Sequence, residues 1–420
     1  MKGNKLTIFI IAAMILGAIV GYLVFINGTA TFKTDFSKNI KLLSTIFIRL
    51  VQMIIAPLVF TTLVVGIAKL GDLKTVGRVG GKAILWFITA SLVSLLIGLV
   101  LVNYFRPGQY IDLAQQDTAG LKDLMGKQQS FSLQNFVEHV IPKSFVEAMA
   151  NNEILQLVVF SIFFGVAAAA IGDYAKPLIR ALEVASHIIL KMVNYVMNFA
   201  PLGVFGAIAG VVAINGWKIF DFYWKYYLLF LLGILVLWFF LMSTGFIILK
   251  RRMPKLLRHI GSPMLIAFST TSSEAVFPKL TEELERFGCK DRIVSFVLPL
   301  GYSFNLDGSM MYMTFASIAI AQAYQIEMPF ATQLTMLLVL MLTSKGIAGV
   351  PRASLVVVLA TCAMFKIPPE GVALILPIDH FCDMFRTMTN VVGNALATSV
   401  VSKWEGELGD GEAAVVSRES

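Results

Sequence analysis

Charged residues are scarce in this chain of 420 residues, since Asp, Glu, Lys and Arg together make up 14% of it. Soluble globular proteins carry about 25% of these residues, so the deficit excludes an ordinary soluble domain. Hydrophobic residues make up 57% of the chain, enough for several membrane spans of about 20 apolar residues each. The composition therefore predicts a polytopic membrane protein.

Cysteine is also rare, and the three cysteines, Cys289, Cys362 and Cys382, have spacings that match neither a disulfide framework nor a zinc site. We expect them to pack as small apolar side chains, which is the usual behaviour of free cysteine. The sequence contains no pairing of a nucleophile with a base, no metal-ligand cluster and no nucleotide-binding loop. An enzyme is therefore not expected, and neither a cofactor nor a resident metal is predicted.

Six long apolar runs in the first 250 residues predict ordinary helical spans, at 6–27, 40–68, 82–105, 153–171, 186–213 and 222–249. The first run is too long for a signal peptide and lacks a clear cleavage site, so we interpret it as a span. Basic residues cluster in alternate loops, for example Lys250, Arg251 and Arg252. This asymmetry predicts cytoplasmic termini in the inner (plasma) membrane, and it explains the net charge of +8 without nucleic acid.

The last third of the chain remains apolar, but polar clusters interrupt it at 269–274, 305–309, 343–354 and 379–394. Non-helical backbone at membrane depth persists only where it is buried in protein or lines a cavity. We therefore predict re-entrant helical hairpins at 255–285 and 330–366, and full spans at 288–322 and 370–403. The hairpin–span unit occurs twice with inverted orientation, as in transporters with a midplane binding site. The predicted fold is all-α, with eight spans and two hairpins, followed by a solvated tail over 405–420.

Charge inside the last predicted span is costly, at about 2.5–3.5 kcal/mol per Asp or Arg at a helix centre. Spacings of 4, 3, 4 and 4 place five polar residues on one helical face; they are Asp379, Asp383, Arg386, Asn390 and Asn394. One interpretation is an ion pair of Asp383 and Arg386 that merely locks two helices together. The additional asparagines and the neighbouring hairpins favour a ligand site instead.

An amino acid with an acidic side chain suits this face. Arg386 offers a rigid, always charged fork to the side-chain carboxylate, and Asp383 can accept the ammonium group. Hydroxyl and N–H donors of the hairpin tip at 270–273 are available for the main-chain carboxylate. A second polar break contains Asn305 and Asp307, and a bound cation or a proton would offset the cost of that carboxylate. The alternative is a hydrogen bond from Asp307 to a neighbouring helix.

Four stretches resemble the dicarboxylate/amino acid:cation symporter family, to which glutamate transporters belong. They are Ser269-Thr-Thr-Ser-Ser-Glu274, Gly301-Tyr-Ser-Phe-Asn-Leu-Asp-Gly-Ser309, Ser344-Lys-Gly-Ile-Ala-Gly-Val-Pro351 and Asp383-Met-Phe-Arg-Thr-Met-Thr-Asn390. The resemblance covers essentially the whole chain and is closest to bacterial proton/glutamate symporters. It implies a homotrimer in which a scaffold, mainly 1–254, supports an elevator-like transport domain at 255–404, to which the span at 82–105 also contributes. It also implies that 349–354 acts as the outer gate.

The resemblance further implies which residues bind the substrate: Thr271, Ser272, Ser273, Ser309, Val350, Ser354, Asp383, Arg386, Thr387 and Asn390. Relatives that carry succinate-like dicarboxylates lack the acidic residue at the position of Asp383. Relatives that carry neutral amino acids lack the arginine at the position of Arg386. This chain has both residues, which implies glutamate or aspartate without ranking the two.

Sodium-coupled relatives have an Asp at the position of Asn394, and a Tyr and a Thr at the positions of Phe87 and Ala90. The loss of one carboxylate and two hydroxyls removes oxygen ligands, so proton coupling is favoured and sodium coupling remains the near alternative. Residues assigned to coupling are Asn305, Asp307, Asp379, Asn394, Glu274 and Lys345. Glu274 can equally be a solvated residue at the hairpin tip. An anion channel or a membrane receptor is the alternative from another functional class, although the tail after Glu405 is too short for a signalling domain.

Overall fold

The structure is a computed structural model that describes residues 3–70, 73–110, 140–216, 219–344 and 353–409. Its helices are α1 (Gly3–Asn27), α2 (Ala30–Leu70), α3 (Leu73–Phe105), α4 (Phe145–Ala150), α5 (Ile154–Ile171), α6 (Lys176–Met197), α7 (Ala200–Asn215), α8 (Ile219–Leu249), α9 (Met253–Thr270), α10 (Phe277–Phe287), α11 (Asp291–Phe304), α12 (Asp307–Ala323), α13 (Phe330–Thr343), α14 (Ala353–Met364) and α15 (Leu376–Trp404). Within the described ranges the one β contact is an isolated bridge between Cys289 and Leu408. The predicted all-α fold is confirmed.

Five helical segments in the described part of the chain are long and apolar enough to cross a membrane; they are Ile8–Asn27, Ala30–Ala68, Lys74–Phe105, Ile154–Met197 and Tyr223–Thr270. Their outer faces expose large apolar side chains, such as Ile8 at 63% and Ile247 at 75%. Apolar surface of this extent is unfavourable in water, whereas lipid tails solvate it well. The chain is therefore a multi-pass membrane protein.

Two predicted spans are not single helices. The span at 186–213 is divided between α6 and α7, because Pro201 lies in the first turn of α7 and has no N–H to extend the preceding helix. The span at 288–322 is interrupted between α11 and α12. There Asn305 (φ −124°, ψ 64°) and Leu306 (φ −99°, ψ 62°) leave the helical region, so a polar break lies in the middle of an apolar run.

Both predicted hairpins are pairs of short helices. The arms α9 and α10 contain 18 and 11 residues, and α13 and α14 contain 14 and 12, each fewer than the roughly 20 needed to span a bilayer. The first hairpin turns after Thr271, which adopts a left-handed conformation (φ 51°). The tip of the second hairpin, with the predicted gate up to residue 352, lies outside the described residues.

The helix α15 lies at the centre of the second half of the molecule. It packs against α8, α9, α11 and α12. Apart from those that face the cavity, its polar side chains therefore contact protein rather than lipid. It is continuous over 29 residues, as predicted for the last span. This central position is what allows one helix to carry several buried charges.

The chain folds back after α15 instead of forming a solvated tail from Glu405. Residues 404–409, which we call the C-terminal clasp, pack against the start of α3 and the segment before α11. The Glu405 side chain is only 4% exposed and lies 2.9 Å from Arg78 Nη2 and 2.6 Å from Lys82 Nζ. The side chains of Glu405 and Glu407 are thus largely buried in ion pairs instead of solvated, and 410–420 lie outside the described residues.

The clasp should make stability depend on pH. Glu407 lies 2.9 Å from Lys290 Nζ and also pairs with Arg292. Burial raises the pKa of Glu405 and Glu407, but hydrogen bonds from the basic side chains outweigh burial, so both pKa values lie below the ordinary value. A lowered folded pKa gives stabilisation that is complete above the unfolded pKa of about 4.3 and is lost as pH falls through the folded pKa.

We therefore expect the double variant Glu405→Gln/Glu407→Gln to be less stable than wild type at pH 7 by about 1–2 kcal/mol, since partly exposed pairs contribute about 0.2–1 kcal/mol each. The difference should shrink below about pH 4. Thermal unfolding of the purified protein between pH 7 and pH 3.5 measures it. The control is Asp173→Asn, whose carboxylate is 91% exposed in its pair with Lys176, and which should change little. A deficit that is the same at every pH would contradict the prediction.

Candidate functional site

A cavity of about 420 Å³ lies where the two hairpins meet α12 and α15. Eight of the ten predicted substrate residues line it: Thr271, Ser272, Ser273, Ser309, Ser354, Asp383, Thr387 and Asn390. Of the other two, Val350 lies outside the described residues, and Arg386 is fully buried behind the wall. Residues from four separate segments of the chain thus converge on one space.

Arg386 is held by two carboxylates of its own helix. Its Nη1 donates to Asp379 Oδ1 at 2.9 Å, and its Nε donates to Asp383 Oδ1 at 3.1 Å. Its Nη2 lies 2.7 Å from the same oxygen of Asp383. The ion pairs therefore lie within α15 and do not themselves join two helices. The two carboxylates differ in access, because Asp379 is fully buried while the Asp383 side chain is 19% exposed and lines the cavity.

Tyr312 of α12 completes the surroundings of the guanidinium, and it was not predicted from the sequence. Its hydroxyl donates to Asp379 Oδ1 at 2.9 Å, and the Arg386 guanidinium lies over its ring at 4.1 Å from the centroid. A single tyrosine in an apolar helix gives no periodic signal that would identify it. Asp379 is thus the fully buried counter-ion of Arg386, whereas Asp383 faces the cavity.

Asn390 connects α15 to the first turn of α12. Its Oδ1 accepts hydrogen bonds from the backbone N–H groups of Gly308 at 2.9 Å and Ser309 at 3.2 Å, and its Nδ2 donates to Ser309 Oγ at 3.1 Å. A Cβ at Gly308 would lie 2.5 Å from the Arg386 carbonyl oxygen, so only glycine permits this approach of the two helices. Asn390 thus both lines the cavity and positions Ser309.

Three predicted coupling residues form a buried layer behind the cavity wall. Asn305, Asp307 and Asn394 are each at most 1% exposed. Asn305 Nδ2 donates to Asp307 Oδ2 at 3.3 Å, and the side-chain amides of Asn305 and Asn394 lie 3.3 Å apart. A Cβ at Gly393 would overlap the Asp307 carboxylate. None of the three lines the cavity, so this layer is distinct from the predicted substrate residues.

The Asn394 amide is surrounded by backbone carbonyls. With its nitrogen directed at them, it donates to the carbonyl oxygens of Asn305 at 3.1 Å and Gly301 at 3.2 Å. The opposite orientation lets the Asn394 oxygen accept one hydrogen bond from Asn305 Nδ2 at 3.3 Å but brings it against both carbonyl oxygens, so two contacts against one favour the nitrogen facing the carbonyls. The Asn394 amide hydrogens are therefore hydrogen-bonded to backbone carbonyl oxygens, which are the kind of ligand that a hard cation would require. The α3 residues Phe87 and Ala90 are buried and carry no hydroxyl group.

The remaining predicted residues are dispersed. Glu274 lines the cavity at the hairpin tip, where its Oε2 accepts a hydrogen bond from Gln52 of α2 at 3.4 Å. Gln52 was not predicted, although a single polar residue in an apolar run was a usable signal. His380 also lines the cavity. Lys345 lies outside the described residues. Among the described residues no group of His, Cys, Asp or Glu is arranged to hold a metal ion.

Known transport proteins are similar to this chain along nearly its whole length. The model of the sodium:dicarboxylate symporter family matches residues 6–404. A C4-dicarboxylate transport protein from Laribacter hongkongensis is 42% identical over 407 residues, covering 95% of this chain and 89% of that protein. The proton/glutamate-aspartate symporter of Bacillus subtilis is 39% identical over 404 residues, covering 96% and 95%. A proton/sodium-glutamate symport protein from Geobacillus stearothermophilus is 38% identical over 403 residues, covering 95% and 94%.

Proposed function

Because this chain belongs to the sodium:dicarboxylate symporter family, we propose that it carries glutamate or aspartate across the inner membrane together with protons. Its relatives are transporters, so the chain is a secondary symporter of the dicarboxylate and glutamate class and not an enzyme. One observation above all supports the finer assignment: Asp383 faces the cavity with Arg386 directly behind it.

The charges of this pair match an acidic amino acid. The substrate ammonium can bind Asp383, which is the only one of the two α15 carboxylates beside Arg386 that lines the cavity. The side-chain carboxylate can then take the place of Asp383 at Nε and Nη2 of the guanidinium, in the fork geometry that arginine offers. Asp379 keeps Nη1 throughout. Each charge of the substrate thereby meets an opposite charge.

A C4-dicarboxylate, the substrate named for some relatives, fits less well. It has no ammonium group, so its second carboxylate would lie near the ionised Asp383. Two like charges at about 4 Å repel by about 4 kcal/mol at an effective dielectric constant of 20. The charge of Asp383 therefore favours the amino acid over the dicarboxylate.

The environment of Asn394 supports proton coupling. Its amide donates to the Asn305 and Gly301 carbonyls, whereas sodium coupling would require those oxygens and a carboxylate to face a cation. Family membership also supports a homotrimer with an elevator-like transport domain. The basic residues 250–252 and Lys403 lie together at one end of the molecule, which supports cytoplasmic termini by the positive-inside rule.

Uptake by the purified protein in liposomes tests the assignment. With an inward proton gradient and no sodium, we expect glutamate to accumulate above its external concentration, and a sodium gradient alone should give no accumulation. In Asn394→Asp, a carboxylate would join the carbonyls of Gly301 and Asn305, and we expect sodium to stimulate uptake by several-fold. Asn27→Asp, at the exposed end of α1, serves as the control. Accumulation by wild type that requires sodium would overturn proton coupling, and equilibration without accumulation would indicate a channel.

A further inference from the structure

A second cavity, of about 530 Å³, lies between the end of α8 and the clasp. Four basic residues line it together with three others: Lys250, Arg251, Arg252 and Lys403, with Leu249, Gly406 and Leu408. Nothing in the proposed transport cycle uses this cavity, because it shares no residue with the substrate cavity. We propose that it binds the phosphate of an anionic phospholipid headgroup.

The walls of the cavity are fixed by hydrogen bonds. Arg252 Nη1 donates to the backbone carbonyls of Leu408 and Gly409, each at 2.9 Å, and Lys403 Nζ donates to the Ile248 carbonyl. The end of α8 and the clasp are thereby tied together around the space. Lys250 adopts a left-handed conformation (φ 53°), which is costly for a residue other than glycine and turns the basic segment across the helix end.

The charge of the cavity is not cancelled by the clasp. Its two glutamates already have other partners, since Glu405 pairs with Arg78 and Lys82, and Glu407 pairs with Lys290 and Arg292. The segment at 250–258 adds Lys255 and Arg258 without any acidic residue. Among the described residues that line the cavity, every charged side chain is basic, so the lining carries net positive charge, which suits a phosphate diester.

Neighbouring side chains place the cavity at headgroup depth. Phe239, Phe246 and Ile247 of α8 are 75%, 48% and 75% exposed, so an apolar surface for acyl chains runs along the helix to its basic end. Trp404 is 41% exposed, and tryptophan is enriched at the membrane–water boundary. Basic pockets at this depth between transmembrane helices are typical sites for anionic lipid headgroups. The apolar approach favours a lipid over a free anion as the ligand.

Native mass spectrometry of the purified protein with added phosphatidylglycerol or phosphatidylcholine tests the proposal. Wild type should retain phosphatidylglycerol at lower concentrations than phosphatidylcholine. In Lys250→Gln/Arg251→Gln, binding of phosphatidylglycerol should weaken by about 30-fold, because each basic residue near an anionic lipid contributes about 1 kcal/mol and 1.4 kcal/mol is a factor of ten. Arg251→Gln alone, a change at an exposed side chain that should fold normally, should weaken it by about fivefold.

The matched control is Lys176→Gln/Arg180→Gln, which removes two exposed basic residues from the start of α6 and should leave the lipid preference unchanged. Equal retention of the two lipids by wild type would overturn the proposal. A preference that survives Lys250→Gln/Arg251→Gln, or that falls equally in the control, would also overturn it. If inorganic phosphate displaced phosphatidylglycerol at equal concentration, the cavity would be a site for free anions and the lipid assignment would be wrong.

Discussion

Replacement of Arg386 by alanine should reduce the apparent affinity for glutamate by about 100-fold or more. The guanidinium is completely buried, contacts Asp379 and Asp383, and lies over the Tyr312 ring. Truncating one partner of a buried, hydrogen-bonded charge pair between protein and ligand costs about 2–5 kcal/mol of binding free energy, and 1.4 kcal/mol is a factor of ten. Glutamate uptake across a range of concentrations measures the loss.

A folding defect would give the same loss, because Arg386→Ala leaves Asp379 buried without its cation. Two further variants distinguish a folding defect from the loss of a contact with the substrate. Arg386→Lys keeps the positive charge but loses the bidentate geometry of the guanidinium. Arg386→Ala/Asp379→Asn also removes the charge of the buried Asp379 carboxylate, and it preserves a hydrogen-bond acceptor for Tyr312. Both should fold and still discriminate poorly between glutamate and glutamine, which differ only in the group that Arg386 is proposed to bind. Arg78→Ala, 53% exposed at the clasp, is the control. Unchanged glutamate affinity in Arg386→Ala would refute the assignment.

The polar face of α15 was predictable because the spacing of residues along a helix determines which side of the helix they lie on. Residues four and three apart along 379–394 fall on one face, and the high cost of intramembrane charge marks such a face as special. The two hairpins followed from polar breaks flanked by short apolar arms. Resemblance to the family then identified residues that spacing alone cannot identify, such as Ser309 and Ser354. Eight of the ten predicted substrate residues line one cavity.

The contacts made by residues distant in sequence were not predictable. The stacking of Arg386 on Tyr312 joins residues of two helices, and the pairing of Glu405 with Arg78 spans most of the chain. Neither has a period or a local signature. The interruption at Asn305 had a signature, since Asn and Asp occur in an apolar run, but this pattern does not say whether the helix unwinds or merely carries two polar side chains. The division of α15 into a buried Asp379 and an accessible Asp383 also depends on the position of α12.

Asp383→Asn should reverse the preference between an acidic amino acid and a dicarboxylate. The substitution preserves shape but removes the charge proposed to bind the ammonium, and a hydrogen bond to a charged group contributes about 1.5–3 kcal/mol. Glutamate affinity should therefore fall by about 10- to 100-fold. Succinate has no ammonium to lose, and it no longer meets a like charge, so its affinity should stay constant or rise.

Asp379→Asn is the matched control that shows whether the effect of Asp383→Asn depends on the position of the carboxylate in the cavity. It is the same chemical change one helical turn earlier, at a carboxylate that pairs with Arg386 but does not line the cavity. Loss of that counter-ion should impair both substrates alike, because both need the Arg386 guanidinium in place. Inhibition of glutamate uptake by unlabelled succinate, measured in wild type and both variants, gives the ratio of affinities directly. If Asp383→Asn weakens the binding of glutamate and succinate by the same factor, Asp383 has no role in recognising the ammonium group, and its charge does not favour an amino acid over a C4-dicarboxylate.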